Sequence, residues 1–216
     1  VGSEEIAAHS YIQEQFRLNN MSQHVIQLLK VSDCGTALIE QPVCKSISAS
    51  FNSCFYMSRA QLHQVVDIAS ALQKASCVHL DLRPSNLLLR NNVVVLSDMG
   101  SMVILNNHCA MRLSGTTKYG SPDMLRYLLK NIPHVPCFAD DFHSILRIIF
   151  VGVYARGYEE LQKLEINDFE GISAFWQNAF SRPSWQTPLE GCANSTVDYS
   201  VLHVLVDQIA LNYGDD

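Results

Sequence analysis

His79-Leu80-Asp81-Leu82-Arg83-Pro84-Ser85-Asn86, continued by Leu87-Leu88-Leu89-Arg90-Asn91-Asn92-Val93-Val94-Val95-Leu96-Ser97 and closed by Asp98-Met99-Gly100, is the stretch whose reading decides the rest of the chain. Residues 87–89 and 93–96 are strand-forming runs, and Asn91-Asn92 between them suits a two-residue turn with positive φ. A tight hairpin lays its flanks side by side, so Asp81, Asn86 and Asp98 are expected to converge on one small volume. A carboxylate able to receive a hydroxyl proton, beside two oxygen ligands for Mg²⁺, is the set that phosphoryl transfer needs. Turn caps, a strand end and a satisfied core histidine explain these residues singly, but not the set.

The 216 residues, 48% apolar and 17% charged, suit one sizeable globular domain rather than a disordered chain. A net charge of −6 without a Lys or Arg run argues against nucleic acid or an anionic membrane as the main partner. No apolar stretch approaches the roughly 18 residues of a membrane-spanning helix, and the N-terminus does not read as a signal peptide. The seven cysteines, at 34, 44, 54, 77, 109, 137 and 192, form no C-x-x-C and no zinc spacing with histidine. The expectation is free, mostly buried thiols in a reducing compartment.

Residues 4–18 read as a helix, with Ile6, Ala8, Ile12 and Phe16 at helical spacing. Residues 24–31 and 36–39 read as two strands, and residues 40–43 should leave the sheet because Pro42 cannot donate to a ladder. Ser58-x-x-Gln61 is a capping box. It opens a helix with Leu62, Val65, Ala69 and Leu72 in one stripe, ending near Ala75, with Met57, Val66 and Ile68 as core. Residues 77–79 form a short strand, and residues 102–105 an apolar piece.

Gly115 and Gly120 lack the Gly-Lys-Ser/Thr of a phosphate-binding loop. The helix expected from Asp140 to about Tyr154 is apolar nearly all round and so must be buried. Residues 167–180, with Phe169, Ile172, Trp176 and Phe180, and residues 197–211, with Val201, Leu205 and Ile209, give two more amphipathic helices. Trp176 and Trp185 read as packing residues. There is no repeat, low-complexity segment or interdomain linker.

H-x-D-x-x-x-x-N at residues 79–86, followed by D-x-G at residues 98–100, resembles the catalytic loop and the magnesium-binding Asp-Phe-Gly of the protein-kinase superfamily, with Met99 for the phenylalanine. Residues 115–123, Gly-Thr…Tyr…Ser-Pro-Asp, resemble the end of a kinase activation segment. Residues 140–146 resemble the central F helix, where Asp141 would anchor the catalytic loop; an N-terminal cap is the alternative, and the spacing from Ser121-Pro122-Asp123 favours the anchor. The resemblance covers residues 4 to about 155 and implies an α+β, kinase-like fold. Residues 1–43 would be a partial small lobe ending in the hinge, and residues 44–216 a mostly helical large lobe.

Carried onto this sequence, the resemblance makes Asp81 the acceptor of the substrate hydroxyl proton and Asn86 and Asp98 the Mg²⁺ ligands. Arg83, where Ser/Thr kinases usually carry lysine, would neutralise the transferring phosphate with a planar rather than point-like charge. Glu5 would be the C-helix glutamate, although an ordinary first-turn glutamate fits as well. Glu40 and Val43 would lie at the hinge of an ATP site and Leu88 beneath the adenine.

Several positions depart from the family pattern. Leu80 replaces the arginine usually found before the catalytic aspartate, so a phosphate on Thr116, Thr117 or Tyr119 would lack its partner, and activity should not need one. Pro42 has no hinge amide to offer adenine. No glycine-rich loop and no third-strand lysine stand before the first helix, which implies a truncated or reduced small lobe.

Three activities stay open: a Ser/Thr protein kinase, a pseudokinase scaffold that binds a protein partner, and a kinase-like enzyme for a small molecule. Residues 37–43, 140–147, 175–185 and 198–202 resemble kinase-like domains of fungal and oomycete Crinkler-type effectors, which implies work in the cytosol or nucleus of a host cell.

Overall fold

Ser58 begins a helix as its capping box requires. Its side chain accepts from Gln61 N while the Gln61 side chain accepts from Ser58 N, and α3 (Arg59–Lys74) follows. A computed structural model of the chain describes residues 3–31, 38–41, 44–50, 57–105, 110, 117–190, 192 and 197–213. Before α3 come α1 (Ser3–Leu18), a 3-10 turn at Ser22–His24, β1 (Gln27–Val31), β2 (Leu38–Gln41), β3 (Lys45–Ser46) and the one-turn α2 (Ile47–Ser50). After it come β4 (Cys77–Val78), β5 (Leu87–Arg90), β6 (Val93–Leu96), a 3-10 turn at Met99–Ser101 and β7 (Val103–Ile104). A last 3-10 turn, Thr117–Tyr119, leads to α4 (Pro122–Lys130), α5 (Phe138–Val153), α6 (Ala155–Lys163), α7 (Phe169–Ala179), α8 (Pro183–Glu190) and α9 (Ser200–Tyr213). The class is α+β: mostly helix, with small antiparallel sheets.

The sheets are β1–β2, β3–β5–β6 and β4–β7, all antiparallel. The hairpin β5–β6 closes at Asn91 and Asn92, whose φ values of 49° and 66° are those the two-residue turn demands. Ile26 N donates to Leu96 O, and Val25 bridges Leu96 in parallel, so the chain before β1 runs beside the hairpin.

One core runs through the described residues, from Ile12 and Phe16 on α1 through Leu72, Leu96 and Ile149 to Leu205 on α9. As its composition demands, α5 is buried. Phe142, Ile145, Leu146, Ile148, Ile149 and Val151 are all solvent-excluded, each contributing roughly 1.5–3 kcal/mol relative to exposure. The Leu62 side chain of α3 packs against α5 at Gly152, where a Cβ would stand 3.2 Å from Leu62 Cδ2. At the C-terminal end of α5, Phe150 joins Tyr154, Phe175, Trp176, Phe180 and Trp185 in one aromatic cluster. No helix among the described residues is long and apolar enough to cross a membrane.

Four expectations need correction. The first strand does not begin at His24. That residue ends a 3-10 turn, with its ring Nδ1 2.8 Å from Val94 O, and the strand starts at Gln27. Nor does the second strand leave the sheet at residue 40: Glu40 pairs with Leu28 and Gln41 with Gln27, while Pro42 and Val43 lie outside the described residues. The expected burial of the thiols is not met among the described residues, where only Cys77 is buried, Cys137 is exposed and Cys44 and Cys192 are half-buried, while Cys34, Cys54 and Cys109 lie outside them. Finally, α2, α4, α6 and α8 are additional helices. Ser121 caps α4 with Pro122 in its first turn, while α8 is short and holds Pro188 inside it.

Candidate active site

The loop between β4 and β5 is held from below by α5. Asp141, 2% exposed, accepts from His79 N at 2.7 Å through Oδ2 and from Leu80 N at 3.0 Å through Oδ1. It is an anchor and not a cap for its own helix. Burial outweighs the two amide bonds and raises its carboxyl to about 7. The double bond fixes an unusual backbone: Leu80 has φ 64°, a region that side-chain-bearing residues enter at a cost of order 1 kcal/mol. The buried Leu80 side chain packs with Val78 and Met124, the latter on α4.

His79 completes the support. Burial lowers its pKa, so the ring is neutral. Its Nε2 lies 3.2 Å from Ser97 O and its Nδ1 accepts the Asp81 amide at 3.4 Å, which assigns the proton to Nε2. Ser97 also closes the hairpin base, with N and Oγ donating to Asn86 O at 3.0 and 2.9 Å. Asp81, Asn86 and the residue before Asp98 are thereby tied into one unit.

At its centre Asn86 Nδ2 donates to Asp81 O and to Asp81 Oδ2, both at 2.9 Å. Arg83 Nε lies 3.2 Å from the same Oδ2, an ion pair whose N–H direction misses hydrogen-bond geometry. Asn86 Oδ1 takes no hydrogen bond among the described residues. Asp98 is exposed at left-handed φ 61°, and its Oδ1 accepts from Gly100 N at 3.4 Å. Met99 turns the other way, into the core.

Glu5, on α1, reaches the same corner. A Cβ on Gly100 would lie 3.3 Å from Asp98 Oδ1 and 3.8 Å from Glu5 Oε1, so two carboxylates flank this glycine. Leu88 is half-buried on β5, between Ser46 and Val95. The backbone of Glu40 is in the β1–β2 ladder, while Val43 lies outside the described residues. Asp81, Arg83 and Asn86 thus meet directly, and Asp98 and Glu5 share the adjoining corner.

A cavity of about 350 Å³ opens beside Arg83, lined also by Ser85, Lys118, Tyr119 and Tyr158. Its far wall is fixed by bonds that sequence reasoning missed. Thr117 Oγ1 donates to Ile166 O at 2.5 Å, Trp176 Nε1 to Lys118 O at 2.7 Å and Ser144 Oγ to Tyr119 O at 2.9 Å. Asp140, buried beside Asp141, binds Ser121 Oγ at 2.5 Å, His134 Nε2 at 2.8 Å and Cys137 N at 3.0 Å. The adjacent acids divide the labour: Asp141 holds the loop, and Asp140 holds the start of α4. Only the paired acids at a helix start signalled this.

The donor set fits Mg²⁺. Asn86 Oδ1 and the exposed Asp98 carboxylate are hard oxygens, and Mg²⁺ takes few protein ligands, keeping places for water and phosphate oxygen. No group of three or more His, Cys, Asp or Glu that could hold a metal by itself occurs among the described residues. Comparison with protein-family models and with curated proteins found no match for the chain.

Proposed function

We propose that the chain is the large-lobe part of a kinase-like phosphotransferase that takes Mg²⁺ and ATP and acts on a protein hydroxyl, with Ser/Thr as the expected acceptor. The observation that carries this reading is the Asp141 anchor. A fully buried carboxylate spends both oxygens on two successive loop amides and sustains a strained Leu80. Such strain is retained where it sets the aim of a neighbour, and the neighbour here is Asp81.

Asp81 would receive the hydroxyl proton, with Asn86 Nδ2 holding its orientation and Arg83 supplying positive charge on the side of the 350 Å³ cavity. Asn86 Oδ1 and Asp98 would hold the metal, and the bound nucleotide would supply the phosphoryl group. Leu88 would offer an apolar face to the base, with Glu40 and Val43 as hinge residues. The free thiols Cys77, Cys137 and Cys192 support a reducing, intracellular setting. The net charge of −6 is consistent with a protein partner rather than nucleic acid.

A second reading, a pseudokinase scaffold, is favoured by one observation. Glu5 makes no ion pair among the described residues and faces Asp98 across Gly100 instead of a lysine.

Thermal unfolding with and without Mg²⁺-ATP, on this chain and on Asp98→Ala, separates the two. A ligand that binds only the folded state raises the melting temperature by mass action. A metal-dependent rise that Asp98→Ala abolishes is the expected result. No rise at millimolar nucleotide would sink the enzymatic reading for this chain and leave the scaffold.

A further inference from the structure

Further along α5, Arg147 is 2% exposed, and its Nε and Nη1 have no hydrogen-bond partner. It makes no ion pair among the described residues. Its guanidinium carbon lies 5.0 Å from the centroid of the Trp176 ring on α7. A ring face attracts a cation but does not replace a hydrogen-bond acceptor for its N–H groups. The acids at the start of its own helix are committed elsewhere: Asp140 to Ser121, His134 and Cys137, and Asp141 to the loop amides. Burial is the one cause that moves its pKa, down to about 9. At neutral pH Arg147 is a buried cation whose counter-ion is not supplied by the described protein.

It lines a cavity of about 390 Å³ with Pro122, His143, Trp176, Phe180 and Leu189, a volume within the range of small-molecule sites. Gln177 and Gln186 stand exposed at its rim. Burial and the Arg147 charge push His143 down to about 4, so it is neutral, and the cavity holds one positive charge among mostly apolar and aromatic walls that carry no second cation, Ser173 and Ser181 being their neutral polar members. That combination favours a single negative charge on an apolar body. A phosphate dianion would leave its second charge unpaired against those walls.

We propose that this cavity is a binding site for a small monocarboxylate with an aromatic or branched aliphatic body, the carboxylate on Arg147 and the body against Trp176, Phe180 and Leu189. Of these residues only Trp176 also touches the candidate active site, through its bond to Lys118 O in the cavity wall, and the proposal stands whether or not the phosphotransferase reading holds.

The test is titration calorimetry and thermal unfolding of the full chain with phenylacetate and 4-methylvalerate, compared with phenylacetamide and inorganic phosphate. The carboxylates should bind and raise the melting temperature. The amide should bind about tenfold more weakly, having lost a charge-assisted hydrogen bond. Phosphate should give no shift. Arg147→Met should abolish the preference for acid over amide. Because Arg147 is buried, Gln177→Glu serves as a surface control: a like charge at the rim should weaken carboxylate binding and leave the amide unchanged. Equal binding of acid and amide, a larger response to phosphate, no response to any probe, or acid preference surviving in both variants would each overturn the assignment.

Discussion

Asp141 and Arg147 stand on the same helix, equally buried, and are treated in opposite ways. Asp141 has both oxygens filled by backbone amides; Arg147 has a ring face against it and two nitrogens with nothing to bond. The difference separates two uses of a buried charge. A saturated one is scaffolding, because its removal strands the groups it served. An unsaturated one costs stability to the protein around it, and that cost is recovered only when a partner of opposite charge arrives.

Substituting each residue tests that contrast. Asp141→Ala leaves two buried amides without acceptors and removes the restraint on Leu80, and should destabilise the chain by about 3–5 kcal/mol in urea denaturation. A loss under about 1 kcal/mol would mean that the anchor is incidental.

pH gives the next effect. The folded-state pKa of Asp141, about 7, lies above its ordinary 3.8, so the native chain binds more protons there than the unfolded one. Its contribution is complete below 3.8 and declines as pH rises toward about 7. His143 works in reverse. Its folded pKa of about 4 lies below 6.5, so the stability it gives as a neutral ring is complete above 6.5 and lost as pH falls toward 4. Asp141→Asn isolates the first effect. The stability advantage of wild type over this variant should shrink from pH 4 to 7 by on the order of 1 kcal/mol per pH unit. A constant difference across that range would contradict the burial argument.

Arg147→Met reverses the sign. Replacing an unpaired buried charge with an apolar side chain of similar length should stabilise by about 1–3 kcal/mol; a destabilisation as large as that of Asp141→Ala would erase the contrast. The smallest effect belongs to the hairpin. Asn92→Gly should raise stability by about 0.5 kcal/mol, because glycine meets φ 66° without strain. A drop in the denaturation midpoint would show that the Asn92 side chain contributes more than its backbone angle suggests.

Local chemistry was legible in the sequence. Two asparagines between apolar runs announced the hairpin, a serine and a glutamine three residues apart announced α3, and unbroken apolarity announced the buried α5. Patterns with two meanings were not. Ser121-Pro122-Asp123 resembles a motif, which hid its plainer identity as a helix cap, a first-turn proline and a first-turn acid. Pro188 hid α8. His24 has the look of a strand residue but turns its ring to Val94 O.

The candidate site divides along the same line. Asp81, Asn86 and Asp98 were readable from spacing. The left-handed turn at Leu80 was not, because Asp141 imposes it from far along the chain. Nor could the isolation of Arg147 be read, since a missing partner is a fact of three dimensions only.

The aromatic cluster at the C-terminal end of α5 has an optical consequence. Both tryptophans of the chain, Trp176 and Trp185, lie inside it, each packed on Phe150 and Phe180. Intrinsic tryptophan emission therefore reports on this cluster and on the Lys118 wall that Trp176 bonds, and not on the distant α1 and β1–β2 end. An unfolding curve followed by tryptophan light alone would miss a loosening of the α1 and β1–β2 end; a second chromophore placed there would make any such two-step melting visible.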